Sequence, residues 1–164
     1  MTHPPVDVAG LQQRLASAGA TVSVAESLTG GLLSAALTET AGASAVMRGG
    51  LVVYATELKQ TLAGVSGELL AERGAVDADV ALGLARGVRT RLGATFGLAV
   101  TGVAGPEEQD GIAVGTVFVA LAGPDGETVA RRDLTGDRGE IRRGAVDAAL
   151  ELLDRESQAY PATL

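Results

Sequence analysis

Val22-Ser23-Val24-Ala25-Glu26-Ser27-Leu28-Thr29-Gly30-Gly31 is the stretch on which the reading of this chain turns. Valines at alternate positions favour a strand, two glycines interrupt it, and Leu32-Leu33-Ser34-Ala35-Ala36-Leu37 continues a helix expected from about Thr29 to Thr40. Strand, tight turn and helix in that order set hydroxyl side chains at the carboxyl end of a strand and the positive end of a helix. Backbone N–H groups there are free to take an anion or a developing oxyanion. The competing reading makes Ser27 or Thr29 an ordinary N-cap and leaves the glycines to the turn.

Outward from this stretch, related patterns recur. Gly50 to Tyr54 reads as a second strand that runs into Ala55-Thr56-Glu57-Leu58-Lys59, with Lys59 on the turn or short helix beyond. Phe96 to Thr101 reads as a third strand, closing in the glycine-rich loop Gly102-Val103-Ala104-Gly105-Pro106. Helical spacing of apolar residues marks Val8, Leu11, Leu15 and Ala18, with Gly19 to end that helix. It also marks Val80, Leu84, Val88 and Leu92 after Asp77, and Ile141, Ala145, Ala149 and Leu152 in a last helix to about Arg155. Ser66 caps a short helix to Arg73. Two β-prone runs, Ala113–Leu121 and Thr128–Leu134, flank Gly123-Pro124-Asp125-Gly126, a hairpin signature. Ala41–Gly49 is expected as a loop, Glu107–Gly111 as a mobile polar loop and Ser157–Leu164 as a disordered tail.

The order is αβαβααβββα, which makes an α/β protein with a mixed sheet and helices on both faces, one domain over 1–164 with its ordered core at about 6–155. In such sheets ligands bind beyond the carboxyl ends of the strands. Three expected strand ends carry the residues of interest: Ser27, Tyr54 with Lys59, and Thr101-Gly102.

Composition narrows the chemistry. Aromatics are 2 % of the chain while 23 residues are glycine, so the core is built from Ala, Val and Leu, with helices lying close on the sheet. Cysteine is absent, which removes disulfides, thiolate metal sites and a Cys nucleophile. His3 is the only histidine and stands near the N-terminus, which argues against a Ser-His-Asp triad and against a histidine metal site. Lys59 is the only lysine among 13 basic side chains, the rest being arginine. Lysine loses its proton when desolvated and arginine does not, so a single lysine suits acid–base chemistry; a stray surface lysine is the competing reading. The net charge of −7 argues against nucleic acid or an anionic membrane as partner. With no leader pattern and no membrane-length apolar run, a soluble cytoplasmic protein is expected.

Four strings in order, A-E-S-L-T-G-G (Ala25–Gly31), V-V-Y-A-T-E-L-K (Val52–Lys59), V-T-G-V-A-G-P (Val100–Pro106) with V-G-T-V (Val114–Val117), and T-G-D-R-G-E-I-R-R (Thr135–Arg143), resemble the CinA C-terminal domain family, from about Val6 to Leu153. This is the family of nicotinamide mononucleotide deamidases also called PncC. The resemblance implies a three-layer α/β/α fold with a mixed, mostly parallel sheet of five to six strands and a homo-oligomer, a dimer being favoured. It also implies hydrolysis of the mononucleotide's carboxamide to nicotinate mononucleotide and ammonia, with no metal and no cofactor. Ser27, Tyr54 and Lys59 match the family's catalytic positions, and Arg143 its second arginine after G-D-R. The family Asn of Y-x-N-x-x-K is Thr56 here, the Ser of S-G-x-A-G-P is Thr101, and the loop Glu107–Gly111 is shorter than the family's usual segment. The additional N-terminal domain of longer members is not expected within these 164 residues.

Amide hydrolysis needs a nucleophile, a proton acceptor, a donor for the leaving ammonia and an oxyanion site. With Cys absent and His confined to position 3, Ser27 and Lys59 are the available pair, the proton passing directly or through Tyr54; the competing mechanism is direct attack by water on an amide that Ser27 only positions. Backbone N–H groups of Leu28 to Gly31 or of Gly102 to Ala104 are the expected oxyanion donors, and Thr29, Gly30, Gly31, Thr101 and Gly102 the expected substrate contacts. Arg143 and Arg138 are expected on the phosphate. The competing readings make Tyr54 a strand-end aromatic with its hydroxyl in solvent and pair Arg138, Arg142 and Arg143 with Asp137 and Glu140 on the surface. As a whole, the alternatives are a non-catalytic nucleotide-binding or regulatory module linked to competence or DNA damage, or an amidase for a related amide, suggested by Thr56.

Overall fold

A computed structural model describes residues 5–161; His3 lies outside them. Asp7 caps α1 (Val8–Ser17), which leads to β1 (Val22–Glu26) and α2 (Leu32–Thr38). A single 3₁₀ turn at Ala43–Ala45 precedes β2 (Met47–Val52). Three helices follow, α3 (Thr56–Thr61), α4 (Gly67–Arg73, capped by Ser66) and α5 (Ala78–Leu92, capped by Asp77). Then come β3 (Phe96–Gly102), the hairpin of β4 (Thr116–Gly123) and β5 (Gly126–Asp133), and α6 (Arg138–Ser157). The five strands lie in the order β2-β1-β3-β4-β5. β1 is parallel to both neighbours, and β4 alone runs against the rest.

Alternation along the strands explains the layers. On one face Val22, Val24, Leu98, Val100, Val117, Val119 and Leu121 form the larger core beneath α1, α2 and α6. The opposite face presents Ala25, Ala99, Ala120 and Ala122, and α5 beds directly on this shallow surface with Val80, Leu84 and Val88. Small residues here are a spatial requirement: a Cβ on Gly97 would run into the carbonyl oxygen of Ala85.

Several boundaries differ from expectation, among them the end of β2 at Val52 instead of Tyr54 and the start of β4 at Thr116 instead of Ala113. β2 starts at Met47, inside the expected loop, because Met47 pairs with Val22 through backbone groups that the small side chains do not reveal. α2 starts at Leu32 instead of Thr29, for a reason found at the site below. The expected disorder from Ser157 does not hold through the described residues: Ser157 is buried at the end of α6, and the Tyr160 ring meets Phe96 edge to face at 5.5 Å. Among the described residues no helix is long and apolar enough to cross a membrane.

Candidate active site

Three parallel strands bring their carboxyl ends to one side of the sheet, and a cavity of about 410 Å³ opens there. β1 lies between β2 and β3 as the middle of the three parallel strands, so the crevice falls at a topological switch point. Ser27 follows β1 directly. Its N–H donates to Val100 O at 3.0 Å, prolonging the ladder by one residue, and its carbonyl accepts from Gly30 N at 3.1 Å. Both backbone groups are thereby tied, and Ser27, 8 % exposed, lines the cavity.

Lys59 approaches from α3. Its Nζ donates to Ser27 Oγ at 2.9 Å, to Val53 O at 2.7 Å and to Tyr54 O at 3.5 Å. The side chain is 1 % exposed, and all these partners are neutral. Burial without a carboxylate partner pushes the amine down to about 8, against a smaller opposing pull from Glu57. Roughly a tenth of such a lysine is neutral at pH 7, enough to supply a base at a serine hydroxyl.

The rim is built from several elements. Tyr54 is 60 % exposed; its hydroxyl accepts from Arg138 Nη2 at 3.1 Å and makes no hydrogen bond to Ser27 or Lys59 among the described residues. Arg138 also donates through Nη1 to Gly105 O, so it spans the mouth. It occupies the first position of α6, where Asp137 and Glu140 cap the helix reciprocally instead of pairing with arginines as the surface reading required. Thr56, Glu107 and Glu108 complete the mouth. Thr101 is fully buried in the wall with its hydroxyl donated to Ala75 O at 2.8 Å, and at Gly102 a Cβ would lie 2.7 Å from Thr116 O.

Other expected contacts are not brought together. Thr29 is fully buried with Oγ1 on Glu26, Gly31 N–H also donates to Glu26, and Gly30 is exposed. The positive end of α2 is occupied by the protein's own carboxylate, so no anion site remains there for Thr29, Gly30 and Gly31 to form. This also explains the late helix start. Backbone donors that line the cavity and have no acceptor among the described residues include the N–H groups of Leu28, Ala104 and Gly105; Val103 N is spent on Thr116 O at 2.9 Å. Arg143 is exposed and outside the cavity. One residue earlier, Arg142 donates from Nε to Leu28 O at 2.9 Å and from Nη2 to Thr29 O at 3.2 Å. Arg138 and Arg142 share a helix face at four-residue spacing, whereas Arg143 is turned about 100° from Arg142.

The sequence pattern of the CinA C-terminal domain matches residues 8–157. The chain belongs to the CinA C-terminal domain family. A CinA-like protein of Frankia casuarinae is 52 % identical over 147 residues, covering 90 % of this chain and 34 % of that protein. A putative competence-damage inducible protein of Desulforamulus reducens is 46 % identical over 140 residues, covering 85 % of this chain and 34 % of the relative. The chain thus spans about a third of the length of these curated relatives. Among solved structures, the competence/damage inducible protein CihA of Agrobacterium tumefaciens superposes with TM-score 0.83 at 39 % identity, over 93 % of this chain and 97 % of that one. A CinA superfamily protein of Escherichia coli gives 0.87 at 32 % identity, over 90 % and 87 %. This CinA domain therefore shares the three-layer α/β/α architecture of its relatives, as the sequence led us to expect.

Proposed function

We propose that this CinA domain is an amidohydrolase that converts nicotinamide mononucleotide to nicotinate mononucleotide and ammonia. The observation that carries the reading is the buried Lys59 amine, 2.9 Å from Ser27 Oγ with no carboxylate beside it, at the strand-end cavity. Neutral Lys59 takes the Ser27 proton as Oγ attacks the carboxamide carbon, and Leu28 and Ala104 N–H groups are among the donors available to the oxyanion. Lys59 returns the proton to the departing nitrogen, ammonia leaves, and water then hydrolyses the ester to release the acid. Direct contact between lysine and serine favours transfer without a relay through Tyr54. Arg138 holds the phosphate at the mouth, and the Glu107 and Glu108 carboxylates suit the cationic pyridinium ring. We place the enzyme in the cytoplasm, as a homo-oligomer with a dimer favoured.

The test is ammonia release from nicotinamide mononucleotide by the purified protein with chelator present. Turnover is expected, and Ser27→Ala is expected to lose about 10²-fold or more; an inert wild type overturns the reading in favour of a ligand-binding module. The pH profile provides a second measurement. The neutral amine is the active form, so kcat/KM rises with pH through a midpoint near the Lys59 value of about 8. A flat profile between pH 6 and 9 would remove Lys59 as the base.

A further inference from the structure

Glu26 closes a strand whose residues are all buried and is itself wholly excluded from solvent. Oε1 accepts from Thr29 Oγ1 at 2.7 Å, Gly31 N at 3.2 Å and Leu33 N at 2.8 Å, while Oε2 accepts from Ser34 N at 3.0 Å and Ser34 Oγ at 2.7 Å. Five donors and no acceptor surround it, the pattern an ionised carboxylate matches and a carboxamide does not. Gly31, at φ +109°, takes the left-handed turn that starts α2 over this carboxylate. Among the described residues Glu26 makes no ion pair, and its partners are the first turn of the helix and two hydroxyls.

Ser27 is the next residue, and its carbonyl is held by Gly30. Resting on the reading of Ser27 as nucleophile, we infer that Glu26 is a positioning residue, whose carboxylate fixes the 27–31 turn and so holds Ser27 Oγ on the Lys59 amine. Arg142 secures the outer side of the same turn through the carbonyls of Leu28 and Thr29. The carboxylate gathers N–H groups and the guanidinium gathers carbonyls, so the turn is gripped at both polar ends of its peptides. In Glu26→Gln, the amide NH₂ opposes N–H and O–H donors at one oxygen position, and the turn must shift. A displacement of about 1 Å at a nucleophile costs on the order of 10²-fold in rate.

The test uses a fluorophosphonate, which reads Ser27 without depending on the natural substrate. Oγ bonds to phosphorus, fluoride leaves and the serine proton passes to Lys59. Labelling rates are measured by intact mass on wild type, Glu26→Gln and Ser34→Ala, each corrected for the folded fraction by urea unfolding, with Ser27→Ala as blank. The wild type is expected to label at Ser27 with a pH midpoint near 8. Glu26→Gln is expected to label about tenfold more slowly or worse with the same midpoint, and Ser34→Ala, which keeps the carboxylate but removes one donor, a few-fold more slowly. If Glu26→Gln does not fold, Ser34→Ala carries the test. Wild-type rates in the folded variants, a displaced midpoint that shows Glu26 acting through its charge, or a wild type that does not label at Ser27 would each overturn the inference. Labelling as expected without turnover of the mononucleotide would sink the substrate assignment and leave the positioning role standing.

Discussion

Lys59→Met is expected to abolish amide hydrolysis, by about 10³-fold or more, while leaving the fold as stable at pH 7 as the wild type or more so. The two effects share one cause. In the folded state the amine is moved from its ordinary 10.5 to about 8 by burial, and in the unfolded chain it returns to 10.5. Between those values the unfolded state binds the extra proton, so wild-type stability rises with pH from about 8 to 10.5; below about 8 the folded state carries the whole cost of a buried charge. At 1.36 kcal/mol per pH unit that cost is on the order of 3 kcal/mol. Methionine removes it, fills similar volume, and leaves Val53 O without its donor, which costs about 1 to 3 kcal/mol. The net change at pH 7 lies between zero and a gain of about 2 kcal/mol. Urea unfolding of both proteins at pH 7 and pH 10.5 checks this. Wild type should gain about 3 kcal/mol relative to Lys59→Met across that interval. Equal pH dependence in the two would show that the amine is not desolvated, and activity in Lys59→Met would show that another group is the base. A residue whose removal stabilises the fold but ends the chemistry is retained for the chemistry.

How much of this was legible in the chain follows from the range over which each interaction acts. Strands, helices and hairpin were readable because alternation, helical spacing and helix starts such as Ser66 and Asp77 act within a few residues. The meeting of Ser27 and Lys59 was readable in another way: both sit just past parallel strand ends, and parallel strands deliver their ends to one side. Thr29, Gly30 and Gly31 are not brought to the cavity as expected because the helix terminus that looked vacant carries Glu26, while Leu28 keeps its N–H free at the cavity. An acidic residue closing an otherwise apolar strand, followed by hydroxyls at Thr29 and Ser34, was the available signal that the protein supplies its own anion. Arg142 and Arg143 could not be separated by sequence, since the rotation of a helix against its sheet decides which of two adjacent arginines turns inward. Of the expected tail, residues 162–164 lie outside the described residues, and the stretch before them departs from expectation because one aromatic contact, Tyr160 on Phe96, holds a segment with no periodicity of its own.

Gly87→Ala is expected to destabilise the domain by about 3 kcal/mol, although helix propensity alone favours alanine by about 1 kcal/mol. Gly87 lies in the middle of α5, and a Cβ there would overlap the carbonyl oxygen of Ala63 in the link between α3 and α4. That oxygen belongs to backbone and cannot swing aside, so the link or the helix must move. The link also bears on the site: Val65 N–H donates to Lys59 O at 3.0 Å, and Leu62 N–H to Leu58 O at 2.9 Å, so a displaced Ala63 pulls on the end of α3 and on the lysine it carries. Gly83, one turn earlier on the same helix, is the control. There a Cβ meets the Val65 side chain, nearest at Cγ2 at 3.4 Å, a methyl group able to yield by a few tenths of an ångström. Gly83→Ala is therefore expected to be neutral or stabilising by up to about 1 kcal/mol. Both substitutions carry the same propensity gain, so the difference in unfolding free energy between them measures the close approach itself. Equal stabilities would mean that α5 does not lie in contact with the link, and the packing that sets Lys59 against Ser27 would need another source. If Gly87→Ala remains folded, its Ser27 labelling rate should fall while that of Gly83→Ala does not, because only the first change moves the segment that aims the amine.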